Sequence, residues 1–219
     1  MIPEAGPDFV CGMEEVLDVY AQPYDPEHPR VCLDESPKQL ISERRESFTD
    51  AHGVEHVDYE YTREGTVDLY LVVEPLAGKR EVLVKDQHTR LDWAEVVAHV
   101  VEDLYPTAKK VTLIQDNLSA HKKSALYELF APARARAILE KLEFVYTPKH
   151  GSWLNVAECE LSVLTRQGLA ERVASKEETI RHVTAWYETR NDTGAKVDWQ
   201  FTTTEARIKL KRLYPSIKT

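Results

Sequence analysis

Apolar residues along this chain come in two patterns: short continuous runs and longer stretches with a period near 3.6. The runs predict strands. "VCLDES" (31–36) carries three apolar residues up to an aspartate and reads as a buried strand. "TVDLYLVVEPLAG" (66–78) is rich in β-formers and stops at Pro75 and Gly78, with "KREVLVKDQ" (79–87) as its hairpin partner. "KKVTLIQDN" (109–117) is a second buried run ending in an aspartate, and "EFVYTP" (143–148) is a short strand. Between them, Leu91, Ala94, Val97, Val101 and Leu104 recur at helical spacing, with Thr89 as N-cap and Asp92 three residues on. Residues 119–142 predict a helix broken near Pro132. A helix starts at the stretch "GSWLNVAECELS" (151–162) and runs to about 171. Another spans 175–191, with Ser175 and Glu178 placed as a capping box, and 202–215 closes the chain as a basic helix. Residues 37–62 are polar without a sustained period and predict a long loop or hairpin insertion. Residues 1–30 predict an N-terminal lead-in or linker: "MEEVLDVY" is a short helix that the prolines of 21–30 end. This order suits an α/β sheet of three antiparallel strands followed by parallel ones, flanked by helices.

The 219 residues suffice for one full α/β domain or two small ones, and 42% hydrophobic with 30% charged content is ordinary for a soluble globular protein. No apolar run approaches the roughly 18–20 residues that span a bilayer, and the N-terminus lacks the plan of a secretory signal. Cys11, Cys32 and Cys159 fit neither a disulfide framework nor a zinc site, so they read as reduced, mostly buried thiols in a cytoplasmic protein. The net charge of −9 is uneven: residues 1–110 hold 11 Lys and Arg against 24 Asp and Glu, and residues 161–219 hold 11 against 7. Such a chain is a poor candidate for tight, non-specific nucleic-acid binding by itself. Only its basic C-terminal third suits a phosphate backbone.

Asp34 and Asp116 each end a buried run. If the strands are neighbours, two carboxylates meet at one sheet edge and repel unless a cation lies between them. Oxygen-only ligands favour a hard ion such as Mg²⁺, and a third acid completes a two-metal site for displacement at phosphorus. An aspartate at a strand end also serves as plain turn or cap chemistry. On a helical wheel Leu154, Ala157, Leu161 and Leu164 form the inward stripe, with Glu158 on one flank and Glu160 on the other. Periodicity does not choose between the two glutamates, and both fit a partly exposed rim.

"VCLDES", "DNLSAH" and "YTPKHGSWLNVAECE", in this order, resemble the catalytic domain of bacterial insertion-sequence transposases of the mariner-type superfamily. The resemblance runs from about residue 13 to the end and includes "VDYEY", "EPLAG" and "VDWQFTTTEARIKLKRLYP". It implies a ribonuclease H-like fold, a mixed five-stranded sheet flanked by helices, over residues 31–219. It implies an Asp-Asp-Glu triad of Asp34, Asp116 and Glu158, the last chosen over Glu160 by the family's Asn-x-x-Glu spacing from Asn155. It further implies two Mg²⁺ (or Mn²⁺) ions, with Asp34 bridging both and Asp116 and Glu158 on one each. The implied activity is DNA strand cleavage and strand transfer at terminal inverted repeats, with insertion at a short TA-containing target. The implied assembly is a homodimer on DNA, associated with the nucleoid and not with a membrane.

His121, Lys149, His150, Trp153, Arg207 and Lys211 are candidate DNA contacts, with Lys209 and Arg212 on the same basic helix. Structural roles compete at each: a helix cap for His121, a core anchor for Trp153, a solvated face for the basic helix. Segment 37–62 stands where relatives reach the partner subunit. Glu160 is expected to be a rim acid, open to a salt bridge, whose removal is mild. Full-length relatives carry helix-turn-helix modules ahead of the catalytic domain, and none precedes Met13 here, so weak, unspecific DNA binding is expected. Two rival readings are a stand-alone nuclease or resolvase of the same fold, and an inactive, domesticated DNA- or protein-binding module.

Overall fold

The computed structural model describes residues 6–43, 48–49, 52–53, 55–56 and 60–215. Among the described residues seven strands form: β1 (Arg30–Glu43), β2 (Phe48–Thr49), β3 (Glu55–His56), β4 (Tyr61–Glu74), β5 (Lys79–Lys85), β6 (Val111–Gln115) and β7 (Leu142–Tyr146). The helices are α1 (Pro7–Tyr20), α2 (Arg90–His99), α3 (Ser124–Leu129), α4 (Pro132–Lys141), α5 (Val156–Gln167), α6 (Lys176–Asp192) and α7 (Thr203–Lys209). Five strands make one sheet in the order β5-β4-β1-β6-β7, and β2 and β3 form a two-stranded sheet of their own. The pairings β5–β4 and β4–β1 are antiparallel, whereas β1–β6 and β6–β7 are parallel. This is the mixed five-stranded sheet that the order of runs and helices predicts.

Helices cover both faces. On one face Met13, Val16 and Leu17 of α1, Leu161 and Leu164 of α5 and Val183 and Trp186 of α6 meet Cys32, Leu69, Leu71 and Val73. On the other, Trp93, Val96 and Val97 of α2, Leu126 of α3 and Ile138 of α4 cover Val31, Leu33, Tyr70, Val72 and Leu113. The segment expected as a lead-in thus supplies a fourteen-residue helix to the main core. Its start is set by Pro7 in the first turn, where a missing N–H costs nothing. Thr89 and Asp92 form a complete capping box on α2. At α6 only half of the expected box forms: Ser175 accepts from the Glu178 amide, but the Glu178 carboxylate reaches back to the Ala174 amide instead.

Of the two forms expected for 37–62, loop or hairpin insertion, the described residues take the hairpin. β1 runs on to Glu43 and pairs antiparallel with β4 from Cys32↔Val73 to Glu43↔Tyr61, making a long ribbon. Pro37 sits inside this strand because β1 pairs with β6 only through Cys32; beyond that point one flank of the strand is an open edge, where a proline is tolerated. The register slips between Leu40 and Ile41, and Gly65, at φ +124°, takes up the bulge. Ile41 N–H donates to Val173 O and Lys38 Nζ to Leu169 O, which fastens the ribbon to the chain after α5. Parts of the segment expected to reach a partner subunit lie outside the described residues. Cys32 is buried as expected, but Cys11 and Cys159 are exposed. Among the described residues no helix is long and apolar enough to cross a membrane.

Candidate functional site

The parallel register explains why two aspartates meet. Cys32 lies opposite Ile114 in the β1–β6 pair. Two residues further on stand Asp34, within β1, and Asp116, one residue past the end of β6; continuing the register by two residues sets them side by side on the face of Cys32 and Ile114. They open onto a cleft of about 430 Å³ whose lining includes Glu35, Ser36, Thr147, Asn155 and Glu158. Along α5 the cleft is walled by Glu158, Leu161, Ser162 and Thr165, one helical face over two turns.

The turn before α5 sets where Glu158 stands. Gly151 N–H donates to Pro148 O (2.8 Å), and a Cβ on Gly151 would lie 2.8 Å from Pro148 Cγ, so only glycine closes this turn. Ser152–Leu154 form one 3₁₀ turn, and Asn155 then caps α5 by accepting from Ala157 N–H at 3.1 Å. The other end of the Asn155 amide donates to Leu33 O at 3.0 Å, which ties the helix start to β1 one residue before Asp34. Glu158 lies in the first turn, exposed, where the helix dipole favours a negative charge. The inward stripe is as expected: Leu154, Ala157, Leu161 and Leu164 are all buried.

The electrostatics of the cleft are those of crowded acids. Burial pushes the Asp34 carboxyl up to about 7, and the charges of Glu35, Asp116 and Glu158 push the same way. Among the described residues no three Asp, Glu, His or Cys side chains close into a ready-made metal cage. The donor set of the cleft is nonetheless carboxylate oxygen, which suits a hard divalent ion held by few protein ligands with substrate phosphates completing its shell. The excess negative charge around Asp34 is what such an ion neutralises.

His121 is buried between two acids. Its Nδ1 lies 2.8 Å from Asp116 Oδ1 and its Nε2 3.3 Å from Glu35 Oε2, and its ring stacks on Trp93 at 5.7 Å. Burial opposes charge on the ring, but the two carboxylates outweigh it and raise its pKa to about 10, so the imidazolium persists at neutral pH. Buried and engaged by two carboxylates, the ring is not presented to DNA. His121 orients Asp116 and partly neutralises Glu35, a partner that strand spacing alone does not single out.

The remaining candidates stand apart from the cleft lining. Lys149 and His150 are exposed in the loop before the 3₁₀ turn, with His150 in the left-handed region (φ +66°). Trp153 is exposed, its ring 6.3 Å from that of Phe201 between centroids, and is not a core anchor. Arg207 makes a two-pronged pair with Glu14 of α1, and Lys209 pairs with Glu205, so half of the basic helix is engaged within the chain. Lys211 and Arg212 are exposed in the turn that follows α7. Glu160 departs furthest from expectation. It is buried and lies 2.9 Å from Arg80 Nε of β5 and 2.8 Å from Arg190 Nη2 of α6. It is no rim acid, because these two arginines arrive from elements that helical periodicity cannot see.

With this geometry in hand, a family model described as DDE superfamily endonuclease matches residues 29–181, a span that contains Asp34, Asp116 and Glu158. The chain belongs to the DDE superfamily endonucleases. Among solved structures, this DDE endonuclease chain is similar to the catalytic domain of Mos1 mariner transposase (TM-score 0.54, 13% identity), covering 89% of this chain and 90% of that one. It is also similar to the Mos1 strand transfer complex (TM-score 0.58, 13% identity, 96% of this chain and 62% of that one). A third similarity is to the Mos1 mariner paired end complex with Mn (TM-score 0.55, 16% identity, 85% and 56%). At these identities the likeness is one of fold, and the fold is the ribonuclease H-like one. The chain spans only 56–62% of the transposase chains in those two complexes. No curated protein matches its sequence.

Proposed function

We propose that this domain cuts DNA strands and joins the freed ends to a second DNA, with Asp34, Asp116 and Glu158 as its catalytic acids and Mg²⁺ or Mn²⁺ as cofactor. The observation that carries this is that Asp34 of β1, Asp116 just past the neighbouring parallel strand β6 and Glu158 in the first turn of α5 line one cleft. The three carboxylates would hold the divalent ions, two of them by analogy with displacement chemistry at phosphorus. When bound, such a pair activates a water or 3′-hydroxyl and stabilises the leaving oxygen. That Mos1 paired end complexes were solved with Mn and with Mg supports the choice of ion.

The chain's own residues do the positioning. Asn155 and the Pro148–Gly151 turn hold Glu158 on the cleft that Asp34 and Asp116 line, and His121 fixes the Asp116 carboxylate. Ser36, Thr147, Ser152, Ser162 and Thr165 line the cleft with hydroxyls, the groups that hydrogen-bond a sugar-phosphate backbone without reading its sequence. Terminal inverted repeats and target DNA are the proposed substrates, with Lys149, His150, Trp153 and Lys211 as outlying contacts and a homodimer as the assembled form.

Incubating the chain with pre-nicked element ends and a supercoiled plasmid in Mg²⁺, and again in EDTA, tests this. Joined products that need metal and vanish in Glu158→Gln support the proposal. Cleavage without joining assigns a stand-alone nuclease, and no metal-dependent product from the parent chain assigns a binding module.

A further inference from the structure

We propose that Tyr20 is a positioning residue of the candidate site: its hydroxyl locks α1 to the start of α5 and to β1, and so fixes Glu158 relative to Asp34. The inference rests on reading Glu158 as a site acid. Tyr20 ends α1, and the whole of that helix lies outside the residues matched by the family model.

The hydroxyl is buried and lies close to three groups. It donates to Leu154 O at 2.7 Å, accepts from Val156 N–H at 3.3 Å, and lies 3.3 Å from Cys32 Sγ. A phenol has one proton to give and two lone pairs to fill. Donation to Leu154 leaves the Val156 amide and the Cys32 thiol as its donors, and all three places are taken. Each partner is close to the site in sequence. Leu154 and Val156 flank Asn155, the cap of α5, and Cys32 is two residues before Asp34 on the same face of β1. The first orphan amides of α5 are therefore divided between two side chains: Val156 N–H goes to Tyr20 and Ala157 N–H to Asn155. Asn155 holds the helix to β1 from one side through Leu33 O, and Tyr20 holds it from the other through Leu154 O. Removing either leaves Glu158 on a helix end with one fastening. The ring itself packs 5.2 Å from Trp199, so Tyr20→Phe keeps the packing and deletes only the oxygen.

The test uses the full chain, Tyr20→Phe, and a control, Ile138→Val, a conservative core change on the opposite face of the sheet. Amide hydrogen exchange well below the melting temperature is read at Val156, Ala157 and Glu158, and Mn²⁺ affinity is read by calorimetry. The expected result is exchange faster by roughly tenfold at those three amides and Mn²⁺ binding weaker by roughly tenfold in Tyr20→Phe, with neither in the control. Equal exchange at the three amides in both variants overturns the inference. Faster exchange with unchanged Mn²⁺ affinity also overturns it, because Tyr20 is then a structural cap only. A parent chain that binds no Mn²⁺ counts against the proposed function, and the exchange result then decides by itself whether Tyr20 holds the helix.

Discussion

Glu158 and Glu160 sit two residues apart on α5 and should fail in opposite ways. Glu160→Gln removes the charge between Arg80 and Arg190. The Arg80 side chain is wholly buried; its Nη1 donates to Gly78 O and its Nη2 to Ala195 O, so it cannot turn out to water. Arg190 is 22% exposed and can recover part of its hydration. Removing one partner of a buried ion pair costs about 3–5 kcal/mol, mostly as the uncompensated charge left behind. Arg190's exposure places the expected loss in the lower half, at about 3–4 kcal/mol. For a domain of this size each kcal/mol moves the melting temperature by roughly 2–4 °C, so Glu160→Gln should melt roughly 6–16 °C lower. The assay is thermal unfolding by circular dichroism, with DNA cleavage measured at a temperature where the variant is folded and expected to persist. Glu158→Gln should show the reverse: a melting temperature close to the parent and cleavage reduced by more than about 100-fold, beyond what loss of a supporting ligand costs. A change of less than about 2 °C in Glu160→Gln would refute the reasoning, since only a solvent-screened pair is worth so little.

Asp34 carries a carboxyl raised to about 7 in the fold, so its protonated form is favoured there and the metal-free protein loses stability from this group as pH rises from about 4 to 7. Asp34→Asn should therefore melt higher than the parent in EDTA at pH 8, by on the order of 3 kcal/mol, with little difference at pH 4. Equal melting at both pH values contradicts this. Adding Mg²⁺ at pH 8 should stabilise the parent but not Asp34→Asn, as melting curves with and without EDTA will report. Asn155→Ala removes a helix cap and the partner of Leu33 O together, and should cost about 2–3 kcal/mol by urea unfolding; a loss under about 0.5 kcal/mol contradicts the clip. Cys11 and Cys159 are exposed, whereas burial pushes the Cys32 thiol up to about 12. A thiol-reactive dye should accordingly label two cysteines in the native chain and the third only on unfolding.

What the sequence makes legible here is whatever a local period or a short polar signal carries. The apolar runs ending in Asp34 and Asp116 are strands, the stripe Leu154, Ala157, Leu161 and Leu164 does face inward, and Thr89 with Asp92 does box α2. The level meeting of the two aspartates also follows, once the strands are taken as parallel neighbours. The far half of β1 is only half legible because a ribbon paired on one side only buries little, so the polar pattern of residues 37–43 fits a loop as well as a hairpin. Glu160 and His121 are misread for another reason. Their partners, Arg80, Arg190 and Glu35, come from other elements, and no periodicity within one helix reports on them. Tyr20 is missed because prolines after it suggest a lead-in, although the helix before it is core.

The most direct test of the account is a Mn²⁺-soaked crystal of this chain with anomalous scattering measured at the metal. The account predicts anomalous peaks in the cleft, coordinated by Asp34 within β1, by Asp116 just past β6 and by Glu158 from α5. Peaks at the two aspartates but away from Glu158, or none in the cleft at saturating Mn²⁺, would contradict the proposed triad.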